Sequence, residues 1–233
     1  MNTTTERIDM MPHVAMCLPE YFPRISYFTT LLHTNKVILA DSFQYSRQSH
    51  QNRTPIRTDA GTAWLSIPVR YRFGDPIHAV TFEPTQAEWR EQHLKTLRNH
   101  YRASAMFDYY EASLTAFFEQ AFLSLAQLNA ASVKWLCAMI EHEIEIEQMS
   151  EWESPPKSLV ELAQIWEKPL LTTQEAAPFV AKSGFSVYYP HQETVAYRQT
   201  YTGFYPDLSL LDLLFNYGPE ALVFLRGVEL KTL

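Results

Sequence analysis

Glycine is scarce in this chain, six in 233 residues. Neither GxGxxG nor GxxxxGK[ST] occurs, so the two commonest phosphate-cradling loops are excluded. Cysteine is rarer still. Cys17 and Cys137 form no CxxC pair, which argues against a disulfide framework and against a thiolate zinc site. No apolar run approaches the roughly 20 residues that a membrane helix needs. The opening stretch "MNTTTERIDMMPHVAMCLPEYF" has no basic segment followed by a long apolar one, so no signal peptide is expected. Basic residues are outnumbered, 19 Lys and Arg against 26 Asp and Glu. With a net charge of -7, a broad nucleic-acid surface is not expected. These absences together describe a cytoplasmic protein with no membrane span.

What is present is apolar and aromatic. Hydrophobic residues make up 46% and aromatics 14%, enough for a sizeable core in a single domain. "HVAMCL", His13 to Leu18, reads as a buried strand ended by Pro19. Ile25, Phe28, Leu31 and Leu32 share a helical face between about Ile25 and His33. "KVILAD", Lys36 to Asp41, reads as a second buried strand. Strand, helix, strand at this spacing is the βαβ pattern of a parallel sheet. Its ligand end lies at the strands' carboxyl ends, around Cys17–Tyr21 and Asp41–Gln44.

"TAWLSIPVRYR" and "IHAVTFEP" read as a third and a fourth strand, the third at a strand end or edge because of Pro68. Thr85 and Glu88 form a capping-box pattern, and the stretch up to about Glu147 reads as helices, with "EHEIEIE" a solvated helix face. Met149 to Pro178 reads as an exposed connection. A last helix around Ser209 to Asn216 stops at Gly218. The expected fold class is α/β, a Rossmann-like parallel sheet core (13–84) with a mostly helical C-terminal half (85–233), in one domain over 1–233.

Three constellations carry polar chemistry. In "SRQSHQNRTPI", Ser46 to Ile56, amides and guanidinium groups crowd between two strand-like runs with no acidic residue. Arg53 offers a planar fork for carboxylate or phosphate, and Gln51 and Asn52 both donate and accept. Gln44 and Ser49 extend their reach. The loop either lines a ligand cavity or ties down its own backbone. Trp89, His93, Leu97 and Tyr101 recur along one helix face, and His93 is the candidate general acid or base. A half-buried histidine bonded to a backbone carbonyl is the structural alternative. His93 and His100 lie too far apart for a metal clamp. Finally, Ser209, Asp212 and Asn216 form a polar stripe on an apolar helix, with Asp207 and Ser209 as its cap and Arg53 an attractive partner for Asp212. Cys17 reads as a small buried hydrophobe more readily than as a nucleophile. No pattern names a cofactor.

Several segments together resemble the WbqC-like family: "LPEYFPRISYF", "SRQSHQNRTPI", "AWLSIPV", "EWREQHLKTLRNHYRASAMFDYY" and "YRQTYTGFYPDLSLLDLLFNYGPEA", in the family's order from Leu18 to about Ala221. The resemblance implies a bacterial protein that acts in surface-polysaccharide biosynthesis. Its substrate would be a small molecule, nucleotide-linked or an amino sugar, and its reaction acyl or aminoacyl transfer. A non-catalytic ligand-binding or assembly protein on the same fold is the alternative. The resemblance adds Tyr21, in the Pro-x-Tyr-x-Pro turn, to the substrate-binding set. Family members near polysaccharide loci carry His-Gln before the first proline, where this chain has Cys17 and Leu18. The turn also sits where adenylyl-transferring α/β enzymes place their HxGH motif, an analogy of fold alone.

Overall fold

The computed structural model describes residues 14–191 and 195–233. The expected start of the first strand at His13 lies outside these residues. Strand β1 (Val14–Cys17) leads through a proline-rich turn into helix α1 (Ile25–Leu31) and back along strand β2 (Lys36–Leu39). The two strands pair in parallel, Val14 opposite Lys36 and Cys17 opposite Leu39. The chain then leaves the sheet. Strands β3 (Arg53–Thr58) and β4 (Gly61–Ser66) form an antiparallel hairpin, and β5 (Val69–Arg70) pairs with β6 (Thr81–Phe82). Helices α2 (Trp89–Tyr101), α3 (Phe107–Glu119) and α4 (Leu125–Met139) follow.

Strand β7 (Glu145–Gln148) returns to the sheet beside β2. Helix α5 (Leu159–Ala163), strand β8 (Leu170–Leu171), helix α6 (Ala177–Lys182) and strand β9 (Val187–His191) extend it on the other side. Helices α7 (Leu210–Tyr217) and α8 (Ala221–Leu225) precede the antiparallel edge strand β10 (Glu229–Thr232). The sheet order is β10-β9-β8-β1-β2-β7. Counted along the chain, the parallel strands β7-β2-β1-β8-β9 run 3-2-1-4-5, the order of a doubly wound sheet. The order reverses between β1 and β8.

Both faces of the central strands are buried, which is why they read as continuous apolar runs. Ala15, Cys17, Val37, Leu39 and Leu171 belong to the core that holds Phe28 of α1, Leu136 of α4 and Leu214 of α7. Their alternating neighbours Met16, Ile38 and Leu170 pack with Leu162 of α5 and Val180 of α6. Among the described residues no helix is long and apolar enough to cross a membrane.

Several expectations need correction. The span Met149 to Pro178 is no exposed connection. It supplies α5 and β8, and Leu170 and Leu171 are buried in the centre of the sheet. The residues after 85 also contribute β7 to β10, so the core is not divided at that point. "EIE" within the acidic run is edge strand β7, where Lys36 of β2 bonds Glu145 at 2.7 Å and Glu147 at 2.6 Å. The third and fourth strands belong to small antiparallel pairs outside the main sheet, split at Pro68, which has no N–H to donate. Thr85 does not cap α2. Its hydroxyl donates to Glu83, which caps a 3₁₀ turn over Pro84–Gln86, and α2 starts at Trp89.

Candidate functional site

The carboxyl ends of β1 and β8 frame a cavity of about 310 Å³. In doubly wound sheets ligands sit at this place, where adjacent connections leave on opposite sides. Cys17 enters it from the end of β1, Leu18 and Glu20 from the turn that follows, and Thr172, Thr173 and Glu175 from the turn after β8. Phe43 and helices α5 and α6, through Leu159, Phe179 and Val180, give it apolar walls. Ser49, His50 and Gln51 approach from the amide-rich loop. Gln51 is 1% exposed. Its Oε1 accepts from the Ser46 N–H at 3.0 Å, which fixes the amide's orientation and leaves Nε2 a buried donor without a partner.

The charges here form one network. Arg24 donates to Glu20 at 3.1 Å, Glu175 at 2.7 Å and Asp207 at 3.3 Å. Burial raises the Glu20 carboxyl, with Arg24 pulling the other way. Glu175 is held below the usual carboxylate range by the Arg24 hydrogen bond. His50 is pushed down to about 4 by burial, then by the Arg24 charge. Burial pushes the Cys17 thiol up to about 12, and the Glu20 charge adds to this. Cys17 therefore rests as a thiol, as the hydrophobe reading expects.

The sequence model of the WbqC-like protein family matches residues 19–224, from the turn after β1 to helix α8. The chain belongs to the WbqC-like protein family. A relative from Mycobacterium tuberculosis (strain ATCC 25618 / H37Rv), the uncharacterized protein Rv1507c, is 26% identical over 229 residues, covering 93% of this chain and 98% of that protein. No solved structure matches the chain.

Within this WbqC-like fold the residues singled out from sequence fall into four places. Ser49 and Gln51 line the switch-point cleft. Asn52, Arg53 and Trp89 line a second cavity, of about 950 Å³, on the other side of the same loop. Arg53 does not pair with Asp212. It donates to the carbonyls of Ser49 at 3.2 Å and Gln48 at 3.0 Å and lies over the Trp64 ring. Asn52 donates to the Ile67 carbonyl at 2.9 Å. Gln44 is exposed and bridges to Pro76 through its backbone.

Tyr21 and His93 meet in the core. The Tyr21 hydroxyl donates to His93 Nδ1 at 3.0 Å, and His93 Nε2 donates to the Ser66 carbonyl at 3.2 Å. His93 lines neither cavity. The fourth place is the C-terminal helix. Asp212 accepts from the Tyr197 hydroxyl at 2.6 Å, with Tyr101 and the charge of Arg57 beside it. Asn216 donates to the Asp212 carbonyl at 2.7 Å. Ser209 is the N-cap of α7, accepting from Leu211 N–H at 3.3 Å and donating to the Phe22 carbonyl at 2.8 Å.

Sequence reasoning passed over Glu20, Arg24 and Glu175, and it placed Asp207 with Ser209 as a cap of the C-terminal helix, whereas Asp207 bonds the start of α1. Glu20 and Arg24 stand four apart inside "LPEYFPRISYF", a spacing that signals a pair only in a helix. Asp41 could have drawn attention at the end of β2, but its carboxylate is taken up by Gln148 and Ser150, which fasten β2 to β7. Asp207 caps α1 from 181 residues away, accepting from Ser26 N–H at 2.8 Å and Ser26 Oγ at 2.9 Å. Replacing Asp207 with alanine is expected to cost about 1–2 kcal/mol, the worth of a helix cap plus one ion pair. Urea denaturation at neutral pH checks it, with Asp207→Asn losing clearly less.

Proposed function

We propose that this WbqC-like protein is a transferase that binds its small-molecule substrate in the switch-point cleft and uses Glu20 as the general base. The substrate belongs to the nucleotide-linked or amino-sugar class of cell-surface polysaccharide synthesis, and the reaction is acyl or aminoacyl transfer. The observation that carries the reading is a largely buried carboxylate just after the carboxyl end of β1, lining a cavity whose wall also includes Gln51, with its buried, unpartnered amide nitrogen. Burial raises the Glu20 carboxyl, the direction that makes a carboxylate a stronger base. Arg24 orients it and is not used up by any group other than carboxylates among its hydrogen bonds. In the transfer, a nucleophilic amine or hydroxyl of one substrate forms a bond to the acyl carbon of an activated donor. Its proton passes to Glu20, and the donor's leaving group departs with its electron pair.

A ligand-binding role without chemistry is the second reading, favoured by Cys17, a protonated thiol at the position where the family resemblance implies a histidine in members near polysaccharide loci. A panel of nucleotide sugars, amino sugars and activated acyl donors, followed by mass spectrometry for new products, separates the two. The expected result is a product whose rate falls by about 10² or more in Glu20→Gln while ligand-induced stabilisation persists. Stabilisation without any product would support the binding protein. A rate untouched in Glu20→Gln would remove this carboxylate from the reaction.

A further inference from the structure

We infer that the cleft receives the aminated end of a sugar or amino alcohol, a primary ammonium next to hydroxyl oxygens, and that any phosphate of the substrate stays outside it. This rests on the cleft being the functional site. Three observations and one comparison of ligands lead to it.

The first is the sign of the charge. Glu20 and Glu175 are the charged residues that line the cleft, and no lysine or arginine joins them. Arg24, the nearest guanidinium, is shared among three carboxylates, Glu20, Glu175 and Asp207. His50 stays neutral near pH 7, because burial holds its imidazolium form down to about 4. An entering anion would meet carboxylate before it met cation, whereas an ammonium group would complete the network.

The second is the state of helix α1. In a doubly wound sheet the first helix after β1 is where a phosphate is held on free N–H groups. Here the Ser26 N–H is bonded by Asp207 Oδ1 at 2.8 Å and the Ile25 N–H by the Leu208 carbonyl at 3.0 Å. The protein's own carboxylate occupies the phosphate's place. The third is Gln51. Its Nε2 is a buried donor with no partner, and leaving such a group unpaired is unfavourable. Gln51 is part of the cleft wall, so a ligand hydroxyl or carbonyl oxygen that draws its amide outward would meet that need. The fourth is that a free amino acid fits less well than an amino sugar. It would bring its own carboxylate toward Glu20 and Glu175, while a sugar brings only hydroxyls to Gln51, Thr172 and Thr173.

The test is calorimetric titration with glucosamine, glucose and glucose 1-phosphate on the wild type, Glu175→Gln and Leu18→Trp. Glu175 is 68% exposed and Leu18 is 41% exposed, so both variants are compatible with folding. Glucosamine is expected to bind about tenfold or more tightly than glucose, the worth of a charge-assisted hydrogen bond. Glu175→Gln is expected to erase most of that margin, and Leu18→Trp to block both sugars. Equal binding of glucose and glucosamine, tightest binding by glucose 1-phosphate, or no binding of glucosamine would overturn the inference. If glucose or its phosphate binds and Leu18→Trp abolishes it, the cleft stands and only the amine preference falls. If binding is indifferent to Leu18→Trp, the cleft itself is the wrong site.

Discussion

Replacing Arg57 with alanine is expected to destabilise the protein by about 3–5 kcal/mol, while Arg53→Ala, four residues earlier on the same strand, costs about 1 kcal/mol or less. Arg57 is 2% exposed and is the largest of the fully buried side chains. Its guanidinium donates to the carbonyls of Thr58, of Gly61 at 2.6 Å and of Thr202 at 2.5 Å. It lies 4.5 Å over the Tyr205 ring and 5.5 Å over that of Tyr201. Its charge also acts on buried Asp212, whose carboxyl is raised chiefly by desolvation. Alanine would leave three carbonyls without a donor, open a cavity between two tyrosines and remove the positive charge nearest Asp212. Each of these penalties is on the order of 1–3 kcal/mol, and they overlap.

Arg53 loses far less because its two carbonyl partners belong to its own loop and remain within reach of water. Paired urea denaturation curves at pH 7 measure the contrast. Equal losses in the two variants would mean that Arg57 is not the clasp that holds the β3–β4 hairpin to the Thr202–Tyr205 turn. The cleft reading predicts no change in ligand affinity for Arg53→Ala, since Arg53 lies on the second cavity.

The two arginines show where the sequence stopped being informative. "RTPIRT" places both on a polar stretch, and nothing local says which one is buried. The decision is made by Tyr201, Thr202 and Tyr205, more than a hundred residues on. The same holds for Asp212, for which Arg53 looked a fitting partner and Arg57 supplies the charge. By contrast, β1, α1 and β2 were legible because both faces of the strands are buried and the apolar runs are continuous. The α2 face was legible because Trp89, His93, Leu97 and Tyr101 all point into the core. The α/β class followed from these few elements.

Strand β8 was invisible for the opposite reason. Two residues, Leu170 and Leu171, make no periodicity, yet they form the fourth parallel strand and set the switch point. Without β8 the cleft has one wall. Glu175 could not be placed in it, and Glu20 and Arg24 had no visible partner. The amide-rich loop stood out in the sequence, and its residues divide between two cavities. Gln51 lines the cleft and Arg53 the second cavity; residues two apart would share a face in a strand, so the division is set by the irregular loop that precedes β3.

Acidification is expected to destabilise the protein steeply between pH 6.5 and 4, with His93 alone contributing roughly 3 kcal/mol at the lower limit. Burial lowers the folded-state value of His93 to about 4, while hydrogen bonding to Ser66 opposes this more weakly. The unfolded chain takes up the proton near pH 6.5. In that window the unfolded state binds more protons than the folded state, so stability present above pH 6.5 is lost as the pH falls toward 4. His50, also lowered to about 4, adds to the slope. His93→Gln can still donate to Ser66 and accept from Tyr21 but cannot charge. It should flatten the stability profile between pH 4.5 and 6.5, and His50→Gln should remove its own share of the slope in the same window. A slope unchanged in His93→Gln would mean that the imidazole is not held neutral by burial. At neutral pH the ring is already uncharged, and each nitrogen is committed, one to Tyr21 after β1 and one to Ser66 of β4. A histidine so placed pins the turn that carries Glu20 to the hairpin and to α2. Its loss would be felt in the cleft through the position of that turn.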